Sequence, residues 1–398
     1  MSEIIIERLG HHGDGITSDG RFVPFTLPGE RVDPGPPMQV LTASPARITP
    51  VCQHFGTCGG CALQHASDQY LSDWKSDIVR RALNAHDLDA DIAPAKSFPP
   101  QTRRRATFAG RRTKKGVQIG FHGRGSDQIV ELKTCHLVIP EMLEIRPALE
   151  DLTRLGASRK GQVRLLVTAT EAGWDIDVSD TKPLDPAIAS SLAGIAQKHD
   201  LARVSWEGEA VITLRPPVIT LGPVTVTPPP GMFLQASKAA EVMLIDAVKS
   251  AVGSADKIAD LFAGCGTFTL PLAKQAEIHA VEGSAAMLQA LDAGWRKGQG
   301  LKLVRTETRD LFRRPLQALE MKSLQAVVID PPRAGAETQS HVLAASGPPV
   351  IASVSCNPVT FARDAAILTA GGYRLDWVQT VDQFRWSGHI EVVARFSR

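Results

Sequence analysis

The sequence predicts an α/β fold: a parallel sheet with crossover helices in the C-terminal part, preceded by a small β-barrel and a β-rich central region. Three observations support this. After Pro228-Pro229-Pro230-Gly231, apolar strands at Lys257 to Phe262, Glu277 to Glu282, Ala326 to Asp330 and Pro349 to Ser355 alternate with helical stretches. Residues 103–227 show two-residue alternation broken by Gly and Pro turns, the pattern of antiparallel strands with one buried face. The first 50 residues are short strands with Gly and Pro punctuation. A chain of 398 residues exceeds one hydrophobic core, so three units are expected, over 1–50, 51–227 and 228–398.

Hydrophobic residues at 43% and charged residues at 22% are ordinary for a globular chain. No apolar stretch reaches the roughly 20 residues of a membrane span, so no membrane partner is expected. The start, Met1 to Arg8, sets acids within a short apolar run, unlike a secretion signal or transit peptide. Six cysteines in so long a chain do not make a secreted disulfide framework. A reducing, cytoplasmic setting is the simplest expectation, with thiols free for metal binding or catalysis. The net charge of +2 names no partner, but its distribution is uneven. From Ile92 to Ser126 there is no acid, while Lys96, Arg103, Arg104, Arg105, Arg111, Arg112, Lys114, Lys115 and Arg124 accumulate. Such a run attracts phosphates; it is also what a solvated edge strand uses to avoid aggregation.

In order along the chain, strands are expected at Glu3 to Glu7, Ile16-Thr17, Arg21 to Phe25 and Met38 to Thr42, with turns at Gly13-Asp14-Gly15, Asp19-Gly20 and Pro28-Gly29. Asp33-Pro34-Gly35-Pro36-Pro37 cannot be a central strand, because proline lacks a ladder donor. Cys52, Cys58 and Cys61 follow in C-x5-C-x2-C spacing, with Cys135 far downstream. Four thiolates could hold zinc or an iron–sulfur cluster, and the spacing alone does not choose. Tyr70, Leu71, Trp74, Ile78, Val79 and Leu83 share one face of a helix over 66–84, a candidate to pack on the C-terminal domain.

In the C-terminal domain, Asp260-Leu261-Phe262 runs into Ala263-Gly264-Cys265-Gly266-Thr267 and a helix, while the next strand ends at Glu282. The glycines allow a sharp turn and close approach of a ligand, and the acid can accept ribose hydroxyls. Thr269 stands where a dinucleotide motif has its third small residue, so a nucleoside such as S-adenosylmethionine fits better than a pyrophosphate. The bland reading of the same residues is a tight strand-to-helix turn. Two further strands end in Asp330-Pro331-Pro332-Arg333-Ala334-Gly335 and Ser355-Cys356-Asn357-Pro358, at the carboxyl edge where open α/β sheets bind ligands.

These stretches, with Phe233-Leu234-Gln235 and His389-Ile390-Glu391, resemble the bacterial RNA uridine-C5 methyltransferase family, particularly its iron–sulfur-containing 23S ribosomal RNA members. The resemblance covers nearly the whole chain. It implies a Rossmann-like class I methyltransferase domain, and an N-terminal OB-like barrel similar to the RNA-binding TRAM module. It implies Cys356 as nucleophile and Glu391 as base. Gln235, Phe262, Glu282 and Asp330 match positions that hold the methyl donor, together with the loop of Gly264, Gly266 and Thr267; Asp310 is a candidate for the adenine contact. It also selects a [4Fe–4S] cluster on Cys52, Cys58, Cys61 and Cys135. Thr267, Ser237 and Arg385 depart from the residues usual in the family, which bears on fine cofactor contacts. His389 is expected to orient its loop or meet RNA, and Phe108 or His122 to stack on an extruded base or lie in the core.

The expected partner is therefore RNA, most simply 23S ribosomal RNA with transfer RNA as the alternative; no protein partner is evident. A non-catalytic RNA-binding factor on the same scaffold is the rival of another class, and it leaves Cys356 and Glu391 without a task.

Overall fold

The computed structural model describes residues 3–398; Met1 and Ser2 of the expected 1–50 unit lie outside them. The N-terminal segment forms a five-stranded antiparallel sheet in the order Phe22–Val23, Gly15–Thr17, Ile4–Leu9, Arg31–Asp33, Gln39–Thr42. Alternation along Ile4–Leu9 buries Ile4 and Ile6 against Val23 and Val32. The proline run joins the last two strands as a turn, and Arg31–Asp33 just before it is a strand that the sequence did not announce. No ladder among the described residues joins the two outer strands, so the unit is an open sheet in its pairing. Buried Glu30 ties its end down: the carboxylate accepts from the Leu27 N–H at 2.8 Å and from Arg47 Nη2 at 2.7 Å.

The central region is a seven-stranded sheet, antiparallel except where Gly173–Ser179 runs parallel to Arg203–Trp206. Its inward residues, among them Phe108, Leu165, Val167 and Ile176, pack with Leu152 and Leu192 of the helices Arg146–Gly156 and Pro186–Lys198. The strand Arg105–Thr113 is paired on both sides, so half of its residues face the core.

The C-terminal sheet has eight strands in the order Val304–Thr308, Glu277–Glu282, Lys257–Leu261, Ala326–Ile329, Val350–Ser355, Glu391–Ser397, Arg374–Asp382, Ile92–Ser97. The first five are parallel, and Glu391–Ser397 is inserted antiparallel. Strands such as Ala326–Ile329 are buried along their whole length, hence their unbroken apolar sequence. Chain order reverses between Lys257–Leu261 and Ala326–Ile329, which opens a crevice at their carboxyl ends.

The segment after the cysteine cluster belongs to this sheet. Helix Asp68–Asn84, capped by the Ser67 hydroxyl accepting from the Tyr70 N–H, buries Val79 and Leu83 in the sheet's core. Ile92–Ser97 then pairs in parallel with Arg374–Asp382, although it sits within the stretch read from sequence as the central unit. As the edge strand it tolerates Pro94. Lys75 of that helix is fully buried; its ammonium donates to Asp382 and, at 3.1 Å each, to the Phe384 and His389 carbonyls. Removing one partner of such a pair strands the other charge. Lys75→Ala should therefore lose about 3–5 kcal/mol in urea unfolding, and Lys75→Met with Asp382→Leu should regain most of it.

Candidate active site

The carboxyl edge of the C-terminal sheet gathers the motifs into one cavity of about 760 Å³. Gln235, Phe262, Gly264, Thr267, Glu282, Asp310, Asp330, Cys356 and Glu391 all line it. Gly266 does not. At φ +96° it makes the turn, and a Cβ there would meet Leu270 at 2.9 Å and Leu291 at 3.0 Å, so its role is close packing of loop on helix. Phe262 holds φ at 63°, a left-handed conformation costly for a bulky residue and frequent at functional sites.

The loop is fastened to the acids around it. Thr269 Oγ1 donates to Asp260 Oδ2 at 2.6 Å within the fully buried turn. Glu282 accepts from the Gly264 N–H at 3.1 Å and from the Ser284 N–H at 2.9 Å, which holds its carboxylate at the cavity wall. Opposite, Phe262 and Phe312 stand 5.4 Å apart between centroids, and Met287 completes the wall. An aromatic slot with a fixed carboxylate suits a flat ligand carrying hydroxyls, such as a nucleoside. Phe312 and Met287 were not singled out from sequence; apolar residues carry no chemical signature there. Asp310 sits half-exposed at the rim, where its carboxylate accepts from the Phe312 N–H at 3.0 Å.

Register brings Cys356 and Glu391 together. In the antiparallel pair of Val350–Ser355 with Glu391–Ser397, Ser355 lies opposite Val392, so the next step outward sets Cys356 beside Glu391. Asn357 fixes the cysteine's turn: its Oδ1 accepts from the Val359 N–H at 3.1 Å, capping helix Pro358–Ala370, and its Nδ2 donates to the Arg333 carbonyl at 2.9 Å. Cys356 thus precedes a helix N-terminus, a position that favours thiolate.

Electrostatics oppose that tendency in the free protein. Burial, then the charges of Glu391 and Asp330, push the Cys356 thiol up to about 11, against the Arg333 guanidinium. Burial pushes Asp260 to about 7, and burial with the Asp260 charge pushes Asp330 to about 7. Glu391, only 3% exposed, rises to about 8 through burial and then the Asp330 charge. A carboxyl held near neutrality is suited to taking a proton.

A second cavity of about 340 Å³ meets Cys356 from the other side. His11 and His12 of the N-terminal sheet, Gly59 to Ala62 of the cysteine loop, Arg124, Arg333 and Ser387 to Ile390 line it. All three units converge there. His389 is in this wall, its Nδ1 2.9 Å from Arg333 Nη2. Burial and the surrounding positive groups lower its affinity for a proton.

Cys52, Cys58, Cys61 and Cys135 line a small cavity of their own with Phe55, Phe121, Leu132 and Leu137. All four are free thiols. Burial pushes Cys58 and Cys135 up and Cys61 to about 12, with the sulfurs' mutual repulsion adding to each. Among the described residues, no three His, Cys, Asp or Glu side chains close around a single ion.

The basic run divides. Arg104 donates to Glu241 at 2.6 Å and Arg105 to the Gly231 carbonyl at 3.0 Å, while Arg103 is largely buried and Arg124 pairs with Asp14. Arg104, Arg105 and Arg124 thus bind the units to one another, contrary to a wholly RNA-facing run. Arg112, Lys114 and Lys115 are the exposed remainder at one hairpin, and Lys96 is exposed on the edge strand. Phe108 is 3% exposed and belongs to the core, whereas His122 is exposed and bonded to Gln162 at 2.8 Å.

Comparison with known proteins agrees with this geometry. The profile of the family described as tRNA (uracil-5-)-methyltransferase matches residues 229–397. An uncharacterized RNA methyltransferase of Brucella suis is 45% identical over 98% of this chain and 97% of its own. The 23S rRNA (uracil(1939)-C(5))-methyltransferase RlmD of Halomonas elongata is 32% identical over 98% of this chain and 88% of its own. In fold, the chain matches the crystal structure of Pyrococcus abyssi tRNA (uracil-54, C5)-methyltransferase with S-adenosyl-L-homocysteine, at TM-score 0.78, 22% identity and 99% coverage of each chain.

Proposed function

The chain belongs to the RNA (uracil-5-)-methyltransferase family and is an S-adenosylmethionine-dependent enzyme; from that premise we propose that it methylates carbon 5 of a uridine in 23S ribosomal RNA through a covalent adduct of Cys356. The observation that carries the mechanism is the register of Ser355 against Val392, which sets a thiol facing both cavities beside a buried carboxyl that lines the first.

Carbon 5 of uracil is too weak a nucleophile to take a methyl group unaided. In the proposed sequence the Cys356 thiolate forms a bond to carbon 6, and the ring electrons shift to the carbonyl as an enolate, which makes carbon 5 nucleophilic. S-adenosylmethionine would be held by Gln235, Phe262, Gly264, Thr267, Glu282, Asp310 and Asp330, and would supply the electrophilic methyl group, leaving as S-adenosylhomocysteine. Glu391 then takes the carbon 5 proton, the C5=C6 bond re-forms, and the C6–S bond breaks to release the thiolate. The second cavity, facing the same sulfur, is where the target base enters, with Arg333, Arg124 and the histidines near its phosphates.

The ribosomal substrate is supported by the Halomonas relative, similar over nearly the full chain. The transfer-RNA reading is supported by the description of the matching family and by a fold match at 22% identity. Incubating the protein with labelled methyl donor and unmodified 23S or transfer RNA in parallel separates them. 5-Methyluridine in 23S RNA alone is expected; label in transfer RNA alone would reverse the assignment.

The four-cysteine cavity suits a [4Fe–4S] cluster. Four thiols meet there beside His54 and His136, within a wall that includes Phe55, Phe121, Leu132 and Leu137; the choice of iron–sulfur over zinc follows the family resemblance. Methyl transfer with loss of a proton is redox-neutral, so the group's role here is to cross-link. Gly59 to Ala62 wall the base-entry cavity, and Ala62 and Leu63 donate to the Trp386 carbonyl at 2.9 and 3.1 Å. Cys58→Ala should lose iron and weaken RNA binding at least about tenfold in filter binding, each tenfold being 1.4 kcal/mol; unchanged RNA affinity in iron-free protein would sink this role.

A further inference from the structure

We infer that Gln383 is a positioning residue of the methyl-transfer site, its buried side-chain amide holding Gln235 and Glu391 at the same time. The inference rests on the reading of Glu391 as the base for its second half only.

The Ala236 main-chain N–H points at the Gln383 side chain, 3.0 Å away, so the atom facing it must be the carbonyl oxygen Oε1. That fixes which way the amide lies. Its Nε2 then faces two acceptors with two hydrogens: Gln235 Oε1 at 2.7 Å and Glu391 Oε1 at 3.1 Å. The orientation propagates. Because Gln235 must present its oxygen to Gln383, its own NH₂ is left for the cavity that it lines, where it can donate to a carboxylate or carbonyl of a bound molecule. Glu391, similarly, has one oxygen engaged and one available for a proton.

Three distant segments meet at this amide: the approach to helix Lys238–Val252, the end of strand Arg374–Asp382 and the start of strand Glu391–Ser397. Gln383 is itself 7% exposed, with neighbouring Asp382 and Phe384 both anchored by Lys75. A flexible surface glutamine could not pass on orientation in this way; one clamped at both ends can.

Gln383→Met keeps the volume and removes both donors and the acceptor. Losing a donor to a buried carboxylate favours its protonated form. Three changes are expected in the folded variant. Binding of S-adenosylhomocysteine weakens several-fold, the rise of the release step with pH moves up by about one unit, and decay of the covalent protein–RNA adduct slows roughly tenfold. A role in packing alone would shift thermal stability and leave the pH profile and adduct lifetime untouched. Gln383→Glu keeps the acceptor for Ala236, which serves if the methionine variant does not fold; its added negative charge should move the pH profile further up. Glu391→Gln is the reference. If Glu391→Gln traps adduct while both Gln383 variants keep the wild-type profile and cofactor affinity, the inference is overturned and the base reading stands. If Glu391→Gln traps none, the base reading fails, and the cofactor affinity of the Gln383 variants still decides whether Gln383 holds Gln235: weakening supports it, no change overturns it.

Discussion

Cys356→Ala should stop 5-methyluridine formation altogether, a loss on the order of 10⁴-fold or more, because the uncatalysed alternative lacks the covalent route. The same protein should bind S-adenosylhomocysteine normally. The slot of Phe262, Phe312, Gly264 and Glu282 is built from the turn after Lys257–Leu261 and its neighbours, and the sulfur only closes its far end. Cys356→Ser is expected to be nearly as inactive, since a hydroxyl is far harder to ionise than a thiol. The thiol itself needs help: burial and the carboxylates hold it at about 11, against which stand Arg333 and the helix start at Pro358. Turnover should therefore climb as pH is raised. Methylation that survives in Cys356→Ala at a comparable rate would exclude the adduct mechanism, whatever the substrate.

What the sequence made legible follows from how local each signal is. Asp260 to Thr267, Asp330 to Gly335 and Ser355 to Pro358 each set polar residues at the end of an apolar strand, and a parallel sheet must bring such ends to one edge. The cavity follows with little further information. Helix Asp68–Asn84 was legible for the same reason, its apolar face repeating at helical spacing. Strand Ile92–Ser97 was not, because its partner Arg374–Asp382 lies nearly 300 residues away and no local pattern records the pairing. The arginines misled in the same way: composition shows a cation but not the buried Glu241 or the Gly231 carbonyl that receives it. Gly266 was read with its neighbours as ligand-facing, and only the packing of Leu270 and Leu291 separates it from them. Gln383 was invisible for a further reason, since a lone glutamine in a polar loop has no motif.

Glu391→Gln should convert the enzyme into a trap. The amide keeps the shape of the carboxyl and accepts from Gln383 as before, but it cannot take the carbon 5 proton. Addition and methyl transfer proceed, release does not, and a Cys356–RNA complex that survives denaturing electrophoresis should build towards one per enzyme. Above about pH 8, where Glu391 is ionised, the charge removed is also one of those holding the Cys356 thiol up, so there adduct should form faster than in the wild type at equal pH. The pH dependence separates the two roles. In the native enzyme Glu391 is protonated below about 8 and useless as a base in that form, so the release step should rise about tenfold per unit up to that point and level off above it. In Glu391→Gln that rise should vanish from the release step and remain only in adduct formation, where the thiol titrates. Equal adduct levels in variant and wild type would assign proton removal to another group, with Asp330, buried at about 7 beside Glu391, next in line.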